Sequence, residues 1–205
     1  MVRTSTPPAS AILLISTPIP DGYFVKVPVF PFDRFADLDI LLGPEMRSTG
    51  EGVGVGKTVE EAIVKAFTLT SRKLSVPTAV LFTVDDRLKN AALPLASFLA
   101  SEGVKIYATP GTHAFLGENG IDSSILYKLE DVRKPLISDA IRSGEISTVV
   151  NIPGPGALRE GFEIRRIALA GGVLVLTNLR LAAAYFRSVM GATRLVPREI
   201  QEYQP

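Results

Sequence analysis

The sequence predicts an α/β sandwich with a five-stranded parallel sheet, and three observations carry that expectation. From Thr78 onward, short apolar runs alternate with amphipathic segments of helical period, as in a parallel sheet covered on both faces. Gly103, Gly120, Gly144 and Gly171 each follow such a segment, where a residue tolerant of left-handed backbone stops a helix. With 205 residues, 46% of them hydrophobic, the chain can bury one full domain plus a smaller piece.

Residues 1–58 carry much of the proline and glycine and no long helical period. Tyr23 to Phe30 reads as a strand, placed at an edge because Pro28 has no N–H to donate. Thr58 is expected to cap a helix over Val59 to Lys73, whose apolar face is Val59, Ala62, Ile63, Ala66 and Phe67; Glu61 completes a capping box. Ser75-Val76-Pro77 marks a boundary, dividing the chain into an N-terminal piece, residues 1–75, and a main domain, residues 76–205. In that domain strands are expected at 78–84, 104–108, 125–128, 146–151 and 173–177, and helices at 86–102, 113–119, 134–143, 160–170 and 179–190. The apolar stretch from Ala168 to Tyr185 reads as core rather than interface, and the polar residues from Pro197 as a loose tail.

Composition removes several classes of function. The formal net charge is +1, from 22 basic and 21 acidic residues, so no broad field favours nucleic acid or an anionic membrane, and any anion site is local. Cysteine is absent and His113 is the one histidine, which excludes disulfides, thiolate nucleophiles and Cys- or His-based metal clusters; no cofactor is expected. The apolar run Ala11 to Ile15 is too short for a signal-peptide core or a membrane span, and no Arg-rich transit pattern surrounds it, so a cytoplasmic protein is expected.

Chemistry concentrates at Thr109-Pro110-Gly111-Thr112. This turn follows a strand and opens a helix, where backbone N–H groups and the helix dipole favour a phosphate, and Gly111 allows close backbone approach. Lys89 in the first turn after strand one, Lys128 ending strand three and Asn151 ending strand four lie at carboxyl ends of strands, where open α/β sheets collect ligands. Read singly, the tetrapeptide is an ordinary turn and cap, the lysines are surface lysines and Asn151 is a turn former. Their convergence on one rim is what points to a phosphate site. His113 reads as a helix-start residue near solvent.

Two blocks carry a family resemblance. Leu42-Gly43-Pro44-Glu45-Met46-Arg47-Ser48-Thr49-Gly50-Glu51 resembles a block near the end of the second ATP-grasp half of the carbamoyl-phosphate synthase large subunit. Residues 78–190 look like the methylglyoxal-synthase-like domain that follows it, a Rossmann-type sandwich, with further matches at Leu116-Gly117, Gly120-Ile121, Ile164-Arg165-Arg166 and Ala168. The resemblance implies an allosteric domain whose nucleotide effector, of uridine or inosine monophosphate type, has its phosphate held by the residues matching Lys89, Thr109, Thr112, Lys128 and Asn151. It also implies partners: the remainder of the large subunit and a glutaminase small subunit, in pyrimidine and arginine biosynthesis. ATP and magnesium would belong to that remainder, and this chain would be a split-gene subunit or a truncated one, with no catalysis of its own. Homo-oligomers are compatible with this picture.

Departures qualify the effector. Ile152-Pro153-Gly154-Pro155-Gly156 stands where the family often has threonine hydroxyls, and Val27 replaces the glutamate of ornithine-responsive relatives. Gly52-Val53-Gly54 differs from the family's Val-Met-Gly and reads as packing drift. Two alternatives stay open: a purely oligomerising module, and a methylglyoxal-synthase-like lyase acting on dihydroxyacetone phosphate. The lyase needs a carboxylate base, yet Lys134 occupies that position and Asp131 is the nearby candidate.

Overall fold

The computed structural model describes residues 21–29, 48–69, 74, 76–129 and 131–191. Most of the Leu42 to Glu51 block, the expected strand end at Phe30, residues 70–73 of the expected first helix and the tail from Pro197 lie outside the described residues.

Strand β1 (Tyr23–Val29) pairs antiparallel with β2 (Gly50–Gly56), in a register running from Tyr23 opposite Gly56 to Val29 opposite Gly50. The second strand was not expected, because every other residue in it is glycine, a poor strand former. Those glycines serve close packing against helix α1 (Val59–Thr68): a Cβ on Gly54 would stand 2.2 Å from the Ala62 carbonyl oxygen, and one on Gly56 2.6 Å from the Ala62 nitrogen. Thr58 caps α1 as expected, its side chain accepting from the Glu61 N–H at 3.2 Å. Glu61 closes the box one residue early, accepting from the Lys57 N–H at 2.8 Å.

The main sheet comprises β3 (Ala79–Val84), β4 (Lys105–Ala108), β5 (Ser124–Ile125), β6 (Thr148–Ile152) and β7 (Leu174–Leu176). Its order is β5-β4-β3-β6-β7 and all pairings are parallel. The chain winds outward from β3 to β5 and then returns to the other side of β3, so the direction of winding reverses between β3 and β6. A crevice at the carboxyl ends of those two strands follows from this topology.

The connecting helices are α2 (Lys89–Ser101), α3 (Pro110–Glu118), α4 (Ile137–Arg142), α5 (Leu158–Ala170) and α6 (Leu179–Gly191). Four starts differ from expectation: α5 opens two residues early at Leu158, after a 3-10 turn over Pro155–Ala157, and the other three differ for local reasons. A 3-10 turn over Asp86–Leu88 precedes α2. Helix α3 opens three residues early, with Pro110 in the first turn, where a missing N–H costs nothing. Helix α4 starts late because Tyr127 claims the backbone before it: Tyr127 N–H donates to the Pro135 carbonyl at 2.8 Å and Ile137 N–H to the Tyr127 carbonyl at 2.9 Å. Gly103, Gly120 and Gly144 stop their helices with φ of 76, 75 and 74°, but after α5 the left-handed residue is Gly172, at 71°, and not Gly171. Gly171 is needed for space instead, since a Cβ there would lie 2.9 Å from Ile141 Cγ2.

The alternating faces of β3 divide the core. Val80, Phe82 and Val84 pack with Leu95 and Leu99 of α2, Tyr185 and Phe186 of α6, and Val64 of α1. Leu81 packs on the other face with Ile137 and Ile141 of α4 and Ile164 and Ala168 of α5. Phe67 of α1 meets Tyr185 with ring centroids 4.8 Å apart, so α1 shares the core of the main sheet. Among the described residues, no helix is long and apolar enough to cross a membrane.

Candidate functional site

A cleft of about 440 Å³ opens at the carboxyl ends of the central strands, and Lys89, Thr109, Gly111, Thr112 and Lys128 all line it. Lys89 enters from the start of α2 with a side chain only 11% exposed, because its ammonium donates to the Gly111 carbonyl at 2.6 Å and pairs with Asp86 Oδ1 at 2.6 Å. A Cβ on Gly111 would stand 3.3 Å from that ammonium, so the glycine leaves room for the cation against the first turn of α3. Thr109 and Thr112 are buried with their hydroxyls 3.3 Å apart, and Thr109 caps α3 without a side-chain bond to it.

Sheet register adds a residue that the sequence reading missed. Thr83 of β3 also lines the cleft and is registered with Asn151 of β6. Thr109 follows the last registered pair on the other side, Phe82 with Ala108. Polar residues thus replace apolar ones at the ends of β3, β4 and β6, where the sheet stops covering the core. Asn151 lies behind the cleft wall: it is fully buried, its Oδ1 accepts from Arg165 Nη1 at 2.6 Å, and its Nδ2 has no hydrogen-bond partner among the described residues.

The cleft's cations arrive with counter-charges that sequence reasoning did not supply. Lys128 pairs with Glu160 at 2.6 Å across 32 residues of sequence, and Arg133 pairs with Asp131 at 2.7 Å; Glu160, Arg133 and Asp131 all line the cleft. Arg133 also stacks over Tyr127, with its guanidinium carbon 4.4 Å from the ring centre. Asp85 follows β3 and accepts from Arg87 Nε at 2.7 Å, and this bond is the main cause holding its carboxyl below the usual carboxylate range. Its other oxygen packs so closely on Gly154 that a Cβ there would be 1.7 Å away, which accounts for one glycine of the Ile152 to Gly156 segment. The carboxyl-end rule for α/β sheets already pointed at Asp85, and the inward stripe Gly161, Ile164, Arg165 and Ala168 of α5 could have flagged Arg165 as a charge in an apolar pattern.

Asp131, the candidate base of the lyase alternative, is poorly suited to that role. The side-chain hydrogen bond from Arg133, before all other causes, holds the Asp131 carboxyl at about 2, far from the neutral range where a base abstracts protons well. Lys134 is exposed, 3.4 Å from Asp139, and is not among the cleft residues. His113 is half-buried and its Nδ1 lies 2.8 Å from the Ser123 hydroxyl, also away from the cleft lining. The lining sets lysines, hydroxyls and a helix start beside the four carboxylates of Asp85, Asp86, Asp131 and Glu160.

Comparison with known proteins agrees with the architecture. Residues 91–177 match the MGS-like domain family, so the chain carries an MGS-like domain on a five-stranded parallel sheet. Over most of its length it is similar to proteins named carbamoyl phosphate synthase large chain. Those of Thermoplasma acidophilum and Thermoplasma volcanium are each 43% identical over 184 residues, covering 89% of this chain and 17% of theirs. That of Rubrobacter xylanophilus is 38% identical over 189 residues, covering 91% of this chain and 18% of its own. The chain therefore spans only about a sixth of the length of these relatives, as the MGS-like part of such a large chain would.

Proposed function

We propose that this chain is the effector-binding regulatory region of a glutamine-hydrolysing carbamoyl-phosphate synthase, and that its cleft takes a nucleoside monophosphate of the uridine or inosine type. The observation that supports this most strongly is the convergence of Lys89, Thr109, Gly111, Thr112 and Lys128 on one cleft, in a chain 43% identical to large chains of that enzyme. A phosphate seated there would meet Lys89 and Lys128 as cations and the threonine hydroxyls and the start of α3 as donors. The rest of the large subunit would hold ATP and magnesium, and a glutaminase subunit would supply ammonia, in cytoplasmic pyrimidine and arginine synthesis. The N-terminal piece, including β1, β2 and α1, would be the trailing edge of an ATP-grasp half. Regulation requires that the nucleotide bind two states of the assembly unequally, so this region alone binds without displaying control.

Calorimetric titration with uridine and inosine monophosphates tests the reading. Binding in the micromolar to millimolar range is expected, and Lys89→Ala should weaken it by about tenfold or more, the worth of one charge-assisted hydrogen bond. No binding at millimolar nucleotide, or binding indifferent to Lys89→Ala, would sink the proposal.

A further inference from the structure

We infer that Arg165 is a positioning residue: its guanidinium holds the Asn151 carboxamide so that Nδ2 is kept as a donor for an anion in the cleft. The inference rests on the reading of the cleft as a phosphate site and adds to it a residue that touches no ligand itself.

Three observations meet here. Arg165 is 1% exposed and heads the fully buried side chains by volume, on the face of α5 that packs against the sheet. Burying a cation is costly, and a well-packed apolar residue of similar size commonly gives a more stable core. Arg165 also sits directly behind the cleft wall, since Gly161 and Ile164 of the same helix line the cleft. A Cβ on Gly161 would lie 2.9 Å from Arg165 Nη1, so the glycine keeps the guanidinium's place clear.

The second observation is the direction of the bond. A guanidinium has donors only, so the atom of Asn151 that faces Nη1 at 2.6 Å is the carbonyl oxygen. Flipping the amide would set donor against donor, and the contact thereby fixes an orientation that an isolated asparagine leaves open. The third is the consequence for Nδ2. Among the described residues it is left without a hydrogen-bond partner in a side chain with no exposure, a condition that buried donors in folded proteins seldom tolerate. Thr83, registered beside Asn151, is itself a cleft residue, so an acceptor entering at that point would relieve the unmet donor.

A bland role would make Arg165 only a tie between α5 and β6. Two shorter replacements separate the roles, because Arg165→Gln leaves a neutral N–H donor that can approach Asn151 Oδ1 directly or through a water, and Arg165→Met leaves none. The probes are inorganic phosphate, titrated calorimetrically, and the 15N-labelled side-chain amide of Asn151, followed by NMR in the full chain. Phosphate should move the Asn151 amide resonances of the parent protein. Arg165→Met should weaken phosphate by about tenfold, and Arg165→Gln by clearly less. Asn151→Asp, which keeps a pairing with Arg165 but has no Nδ2, should stay folded and lose phosphate binding; retained binding in that variant overturns the donor role even should Arg165→Met fail to fold. Equal weakening by Gln and Met, or full affinity in Arg165→Met, overturns the positioning role while leaving the effector reading intact. If the parent protein binds no phosphate, the effector reading falls and the donor role falls with it, even where Arg165→Met shifts the Asn151 amide.

Discussion

Lys89 shows how one side chain acquires its setting. Its ammonium is committed to the Gly111 carbonyl and to Asp86, whose own side chain is 89% exposed. An incoming phosphate has to compete with that carboxylate, and a pair whose carboxylate stands in water is worth about 1 kcal/mol. Asp86→Asn should therefore tighten phosphate or nucleotide by up to about fivefold. Unchanged or weaker affinity in a titration of that variant would show that Asp86 does not compete. The two lysines, the two threonines and Gly111 were legible from sequence, because a turn signal and the ends of predicted strands located them. Glu160 was not, since its meeting with Lys128, which stands three residues beyond β5 and not at its end as expected, depends on how that segment and α5 approach in space. Asn151 was found, but its depth was not, because only the neighbouring helix reveals that Arg165 covers it.

At the scale of elements, the ribbon of β1 and β2 depends on the absence of side chains at its contact with α1. Gly54→Ala would put a Cβ 2.3 Å from the Ala66 nitrogen and 2.2 Å from the Ala62 oxygen, both backbone atoms that cannot swing aside. Overpacking of this kind costs about 1–3 kcal/mol, so chemical denaturation should show a loss of that size, whereas Gly117→Ala, with open space around it, should show little. The same glycines hid β2 from sequence reading, as their packing purpose exists only once α1 lies beside them. The segment after β5 offers a pH test. Because the folded Asp131 carboxyl titrates at about 2 against 3.8 for a free aspartate, its pairing with Arg133 contributes fully above about pH 4 and is lost as pH falls toward 2. Carboxyl 13C NMR should place the Asp131 midpoint near 2. A midpoint near 3.8 would mean that Arg133 does not hold it.

For the whole molecule, the alternation of apolar runs and amphipathic helices was enough to give the parallel sheet and its two helical layers, while strand order had to come from the structure. That order creates the crevice between β3 and β6 and brings the ends of four separated segments to one place. It also places α1 against α6, in the same apolar core as the strands that end at the cleft. The strands that end at the cleft and the N-terminal piece are thus joined by one packed route of apolar side chains. Core truncation on that route, Phe82→Ala, should cost about 3–5 kcal/mol in denaturation, and a loss below 1 kcal/mol would mean that the core is less continuous than described.

Where a nucleotide touches the chain decides most directly whether the cleft is the effector site. Titrating uridine monophosphate into the 15N-labelled protein should perturb the backbone amides of Thr109, Gly111 and Thr112 first, with Lys89 and Lys128 following, and leave unmoved a second pocket lined by Arg142, Arg166, Ile167, Ala170 and Gly171. Perturbations centred on Arg142 and Arg166, or none at millimolar nucleotide, would contradict it.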